Sequence, residues 1–224
     1  MTSATTPNEQ SAVRRRMPTQ VRSRERVERI LDAASEIVLD GGLEALSTRS
    51  IAGAAGVPVA SLYQYFSDKD AVLLAICERD MAEMDEQVAT DLAALDVLSV
   101  RSVVTTAMRA FVKVYHRRPA FMQIWMRGRT VPAVHDLGRI HNQRTAANLL
   151  AFARDAGLVA PGSLSDAELA TAAELAVEIG DRAFQLAFET DVRGNDFLLD
   201  QAIDLVCGYL LGFATDAGRE GVRR

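Results

Sequence analysis

The chain has 224 residues, 49% of them hydrophobic, with a formal net charge of -5. It is long and apolar enough to bury the core of one large or two small domains, so a folded protein is expected. No run approaches the roughly 18 uninterrupted apolar residues of a membrane span. The polar, arginine-bearing stretch from Met1 to Gln20 has no apolar segment behind it, which argues against export and for a cytoplasmic protein.

The negative balance counts against a nucleic-acid partner, because neutralising phosphates takes local Lys and Arg. Its distribution points the other way. Between Arg14 and Arg29 seven arginines face only Glu25 and Glu28, a local net of +5, so a basic front end precedes an acidic remainder. Residues 1–21 are expected as a flexible basic tail, whose run Arg14 to Arg16 is either an arm for DNA or a solvated segment with no partner.

From Arg22, the residues Val27, Ile30, Leu31, Ala34, Ile37 and Val38 recur at helical spacing, and Gly41-Gly42 supplies the left-handed residue that ends a helix. Leu43 and Leu46 lead into Ser47, the cap of a short second helix over 48–55 with Ile51, Ala52 and Ala55 inward. Gly56-Val57-Pro58 breaks that helix, and Pro58 suits an early position of a third one over 59–66. Ser67 with Asp70 reads as the start of a long fourth helix. Its apolar positions Val72, Leu73, Ile76, Cys77, Met81 and Met84 persist toward Leu92 and Leu95, so it is suited to act as a rigid lever. Further helices are predicted over 100–117, 119–129, 132–156, 166–190 and 196–217, punctuated by Gly157, Pro161-Gly162 and Gly194. Ser165 with Glu168 forms a capping box and Asn195 caps the last helix. Cys77 and Cys207 sit far apart within these apolar patterns, as buried reduced thiols and not as a disulfide. No segment alternates with a period of two, so the fold class expected is all-α.

The two short helices around Gly56-Val57-Pro58 have the form of a helix-turn-helix, whose second helix enters a major groove. Ala52 and Gly56 supply small residues where the helices approach. Ile51, Val57 and Leu62 supply apolar anchors. Ser61, Tyr63, Gln64 and Tyr65 leave hydroxyls and an amide for phosphates or base edges.

The run from Leu46-Ser47-Thr48-Arg49-Ser50-Ile51-Ala52 through Gly56-Val57-Pro58-Val59-Ala60-Ser61-Leu62-Tyr63-Gln64-Tyr65-Phe66 to Lys69 resembles the DNA-binding signature of the TetR family of transcriptional regulators. The resemblance extends from about Arg22 to Ile76; beyond it the chain is similar to the family only in length and helical content. It implies an N-terminal three-helix helix-turn-helix DNA-binding domain over 22–67. A helical-bundle domain for ligand binding and dimerisation would occupy 68–224. It further implies that Thr48 and Arg49 hold the phosphate backbone, that Tyr63 and Tyr65 place hydroxyls on phosphates, and that Lys69 meets another phosphate. Val59, Ala60, Ser61 and Gln64 would then face base edges, with the Gln64 amide suited to adenine and Val59 and Ala60 limited to a thymine methyl. Tyr63 and Tyr65, two residues apart, cannot share a helix face, so Tyr65 is also suited to a structural role, and Lys69 to a merely solvated one.

One such module reads a short site, and a twofold dimer with recognition helices about 34 Å apart is the usual solution. The resemblance implies an interface of the last two long helices, through Leu175, Ile179, Ala183, Leu186 and Ala187 on one. Ile203, Val206, Tyr209, Leu210 and Phe213 serve on the other, with Gly208 and Gly212 for close approach. The same faces also suit an intrachain core. A pocket for a largely apolar small-molecule effector is expected from Phe111, Tyr115, Met122, Trp125 and Met126, with His116 and Phe121 nearby and Phe184 and Phe188 closing it; each taken singly fits a core position better than a ligand contact. Orientation of the ligand falls to His116, Asn148 or Gln185.

Catalysis finds little support. His116, His135 and His141 lack the spacing of a helical metal pair, neither cysteine belongs to a CxxC motif, and no phosphate loop or nucleophile elbow is present. No cofactor is expected. The function read from the sequence is a homodimeric, non-enzymatic repressor released from a palindromic operator by its effector. A helical small-molecule-binding or enzymatic protein that keeps the fold without operator binding is the alternative, and a ligand-blind DNA-binding protein a third reading.

Overall fold

The computed structural model describes residues 7–127, 131–191 and 193–223, apart from the side chains of 7–20, 127 and 222. Helix α1 spans Pro7–Gly41. It starts well before the expected Arg22, so the backbone of 7–21 is helical and continuous with the rest of the helix. The side chains of Arg14 to Arg16 lie outside the described residues. At its other end Gly42 takes a φ of 74° and donates its N–H to the Val38 carbonyl at 2.9 Å, as the left-handed cap requires.

A 3-10 turn at Leu43–Ala45 leads to α2, Thr48–Ala54. The Ser47 hydroxyl accepts from the Ser50 N–H, and the Ser50 side chain accepts from the Ser47 N–H. Helix α3 is only Val59–Leu62, with Pro58 as its N-cap and not inside its first turn. The predicted continuation to Phe66 is a turn instead: the Tyr65 and Phe66 N–H groups both donate to the Leu62 carbonyl, at 2.9 and 3.0 Å. This carries the Phe66 ring inward.

Helix α4, Lys69–Ala93, is capped by Asp68 and not by the expected Ser67. The Asp68 carboxylate accepts from the Ala71 N–H at 2.8 Å and from the Ser67 hydroxyl at 3.0 Å. A carboxylate is the stronger acceptor at a positive helix end, and the Ala71 bond, then the Ser67 bond, hold its pKa below the usual value.

The chain divides into two compact units, Met1–Ala75 and Ile76–Arg224, with the division inside α4 and later than the expected boundary at 67. In the first unit Ile30, Leu31, Ala34 and Val38 of α1 bury with Ile51, Ala52, Leu62, Val72 and Leu73. The second continues through α5 (Val100–Arg117), α6 (Pro119–Arg127), α7 (Pro132–Asp155), α8 (Asp166–Phe188) and α9 (Asp196–Leu210). Helices α5 to α8 lie close to their predicted spans. The predicted end of α6, at residue 129, falls outside the described residues. The Ser165–Glu168 capping box and the Asn195 cap are both formed.

Helix α9 stops short of the predicted 217. A 3-10 turn at Leu211–Phe213 comes after it, Ala214 is extended and bridges Val159, and the Thr215 N–H donates to the Leu158 carbonyl at 3.0 Å. Thr215 then caps α10, Asp216–Glu220, by accepting from the Gly218 N–H. Two short strands, β1 (Val97–Leu98) and β2 (Val222–Arg223), pair antiparallel. Two residues are too few for an alternating pattern, so these strands leave no mark in the sequence.

Helices α7 and α8 run antiparallel: Asn142 donates to Glu178 at 3.1 Å near one end, and Arg154 meets Asp166 at 2.6 Å near the other. Arg101 and Arg109 on α5 reach Asp204, Asp196 and Asp200 of α9 at 2.6–3.2 Å. Both cysteines are free and buried; burial first, and then Asp80 and Glu78, push the Cys77 thiol up to about 12, leaving it protonated and inert.

Gly138 of α7 lies against the Trp125 ring, and a Cβ built there would come within 2.0 Å of it. Gly138→Ala is therefore expected to lower unfolding free energy by about 1–3 kcal/mol in urea titrations, although alanine is the better helix former. An unchanged or raised midpoint would contradict this packing.

Candidate functional site

In the first unit, α2 and α3 enclose a tight turn. The Val57 N–H donates to the Ala52 carbonyl at 3.0 Å, Gly56 has a φ of 63°, and Ile51 and Leu62 are fully buried beneath. A Cβ at Gly56 would meet nothing within 4 Å. Glycine is needed there for its left-handed backbone, and not for the close approach expected of it.

The residues predicted to meet DNA are distributed over this surface. Arg49, Val59, Ala60, Tyr63, Gln64 and Lys69 are exposed, and Thr48 and Ser61 are half-buried. The Thr48 and Tyr63 hydroxyls lie 3.2 Å apart, which ties the start of α2 to the end of α3. Tyr65 is half-buried, and its hydroxyl accepts from Ser23 of α1 at 3.3 Å. It anchors α1, the structural role open to it on spacing. Arg22 and Arg24, on either side of Ser23, are exposed, so α1 adds positive charge beside that anchor.

The second unit holds a cavity of about 160 Å³ walled by α4 to α9, with α4 contributing Met81 and Met84. Of the residues predicted to line it, Phe111, Tyr115, Trp125 and Phe184 do. Met122 and Phe188 are buried without lining it, Met126 is half-buried, and the Phe188 ring packs 5.4 Å from that of Tyr115. The rings make a chain. Trp125 stacks on Phe121 at 5.7 Å, Phe121 on Tyr115 at 5.8 Å, and Phe184 meets Tyr115 edge-on at 5.6 Å. Such geometries favour a preformed wall.

The polar lining is not the set predicted. His116 is exposed with Nε2 2.9 Å from the Arg193 carbonyl, Asn148 is exposed, and Gln185 lies behind the wall, donating to Asp181 at 2.8 Å. His141, Asn142, Thr145 and Asp181 take that place. A signal for them exists in the sequence, since positions 141, 142 and 145 share a helix face with Ala146, Leu149 and Leu150. Nothing local says that this face borders a cavity.

Each polar lining group is held by a neighbour. The Trp125 indole N–H donates to Asp181 at 3.1 Å. The Arg144 guanidinium donates to Nδ1 of His141 at 3.2 Å, which assigns the ring proton to Nε2, 3.5 Å from the Thr145 hydroxyl and 3.9 Å from Asp85. Burial lowers the His141 pKa; Asp85 opposes this and Arg144 adds to it. Burial raises the pKa of the Tyr115 hydroxyl.

Residues 30–76 match the family described as bacterial regulatory proteins of the tetR family, and residues 99–210 match the tetracyclin repressor-like C-terminal domain. The chain belongs to the TetR family of regulatory proteins. It is 43% identical over 72 residues to the HTH-type transcriptional repressor KstR of Mycolicibacterium smegmatis, a match covering 32% of this chain and 34% of that one. The chain thus spans about a third of the length of the curated relatives it matches. Among solved structures, a TetR-family transcriptional regulator from Streptomyces coelicolor superposes with a TM-score of 0.66 at 27% identity, over 83% of this chain and 97% of the other. The fatty acid degradation regulator FadR of Bacillus halodurans shares the fold, with a TM-score of 0.64 at 17% identity over 83% and 94% of the two chains. No helix among the described residues is long and apolar enough to cross a membrane.

The lowered pKa of His141 makes stability pH-dependent with a definite sign. An unfolded histidine titrates near 6.5 and the folded one lower, so between those values the unfolded chain binds more protons. Stability from this group is full above 6.5 and falls as pH drops through that window. The decline in Tm between about pH 7.5 and about pH 5.5 is expected to be smaller in His141→Gln than in the wild type; parallel curves would refute the assignment.

Proposed function

We propose that this chain is a transcriptional repressor that binds a palindromic operator as a homodimer and leaves it when a small, largely apolar molecule occupies the cavity of the second unit. The observation that carries this is the exposed face of the helix-turn-helix, where Arg49, Tyr63, Gln64 and Lys69 stand free of the core within the stretch that matches the family. Gln64 reads a base, with adenine as its natural bidentate partner; Arg49, Tyr63 and Lys69 meet phosphates, with Thr48 steadying Tyr63. The protein acts in the cytoplasm by binding and not by catalysis.

The dimer is proposed on a surface that the single chain leaves uncovered. Leu175 and Leu186 of α8 are exposed, as are Phe197 at 69% and Leu205 at 61% on α9. Ala187, Ile203 and Val206, named for this role on pattern, are buried within the chain. Cβ atoms at Gly208 and Gly212 would meet nothing within 4 Å, so their smallness serves no packing inside one subunit and suits approach of a second. Helix α4 is continuous from Lys69 to Ala93 and lines the cavity at Met81 and Met84, which supports coupling of occupancy to the DNA face. A ligand preferring the released form by about 100-fold supplies about 2.7 kcal/mol.

Selection from a random duplex library at stated salt is expected to return a palindrome bound with steep salt dependence. Gln64→Ala should weaken the selected site by about 1–3 kcal/mol and relax one base position, leaving thermal stability unchanged. A library returned without enrichment would overturn the reading and favour a ligand-binding protein that does not use its DNA face. Separately, Phe197→Asp with Leu205→Asp is expected to convert the dimer to a monomer in sedimentation experiments. A wild-type chain that sediments as a monomer at micromolar concentration would exclude the proposed interface.

A further inference from the structure

His141 is a buried titratable group set in the wall of the cavity, beside Asn142 and Thr145. Two charged side chains that do not line the cavity hold its ring. Arg144 lies 3.2 Å from Nδ1 and Asp85 of α4 lies 3.9 Å from Nε2, and these two pair with each other at 2.7 Å. Among the described residues, the other titratable side chains on the same wall are Asp181 of α8 and Tyr115 of α5, while Glu178 of α8 accepts from the adjacent Asn142. The remaining histidines, His116 and His135, do not line it.

These contacts favour a neutral ring. Because Nδ1 accepts from Arg144, the proton that would charge the imidazole has to displace a guanidinium. Burial holds the ring below the usual histidine value; Asp85 opposes this and Arg144 adds to it. An apolar molecule packed against the ring excludes solvent from its cavity side, and that further desolvation disfavours the charged form again. Occupancy and protonation therefore compete.

Resting on the reading of this cavity as the effector site, we propose that His141 gates it: the cavity takes a molecule of low polarity while the imidazole is neutral, and a proton on Nδ1 expels that molecule. By linkage, a ligand that binds only the neutral form loses affinity as pH falls through the pKa of the ring, approaching about tenfold for each unit below it. Arg144→Gln removes the cation beside Nδ1 and leaves Asp85 to stabilise the imidazolium, so the fall moves to higher pH. Asp85→Asn removes the favourable carboxylate, so the fall moves to lower pH.

Trp125 is the one tryptophan of the chain and lines the cavity, so its emission reports occupancy. The full-length protein is titrated with decanol, a probe that carries no charge at any pH used, in steps from about pH 7.5 to about pH 4.5, with circular dichroism confirming the native fold at each step. The dissociation constant is expected to be level near the upper limit and to rise at least about tenfold toward the lower one. In His141→Gln, uncharged throughout, the profile should be level, and Arg144→Gln and Asp85→Asn should displace the rise in opposite directions. A level profile in the wild type, a rise that persists in His141→Gln, or displacements of the wrong sign overturn the proposal. Absence of saturable binding at about pH 7.5 sinks the effector reading together with it, whereas saturable binding that ignores pH sinks the proposal alone.

Discussion

The second unit is organised around the indole of Trp125. Its ring occupies the space that a side chain at position 138 would need, so α6 lies against the backbone of α7 at Gly138. Its N–H is satisfied by Asp181 of α8, so one side chain sets the spacing of three helices. An indole in an apolar site needs both a partner for its N–H and a surface for its ring. The stacked rings of Phe121 and Tyr115 extend that placement across the cavity to Phe184, and the void is bounded by side chains that already hold one another in place.

Helix α4 is gripped in two different ways over the same turns. Met81 and Met84 line the cavity. Asp80, 1% exposed, pairs with Arg79 at 2.9 Å and Arg118 at 3.7 Å, and Glu83 pairs with Arg117 and Arg118 at 2.9 and 2.7 Å. Burial raises the Asp80 carboxyl pKa against the pull of these guanidiniums, so the pairing compensates a charge that the fold has desolvated. An apolar contact adapts to an occupant, whereas a charge network has discrete partners.

The first unit was legible almost throughout. Ser47 as a cap, Gly42 as a left-handed stop, Gly56 in the turn, and Ile51 and Leu62 as anchors all arise from chemistry within a few residues of each position, and the structure holds each of them. The exceptions are instructive. Asp68 displaces Ser67 because a neighbouring carboxylate outcompetes a hydroxyl, and α3 ends at Leu62 because Phe66 has to reach the core. In the second unit the same rules placed the helices but not their faces: Phe111, Tyr115, Trp125 and Phe184 line the cavity while Met122 and Phe188 do not, and nothing in their spacing separates the two sets.

Helical periodicity, caps and glycine stops therefore specify where the helices of this protein lie and mark its helix-turn-helix, since those signals act through bonds spanning three or four residues. Contacts distant in the chain decide the rest. The break of α9 comes from pairing between Val159 and Ala214, the strands from pairing between Val97–Leu98 and Val222–Arg223, and the polar end of the cavity from α8 being antiparallel to α7. An amphipathic pattern declares that a face is buried without naming its partner. Whether His141 and Thr145 meet solvent, core or a void depends on which helices close over them, and only packing of the folded chain supplies that.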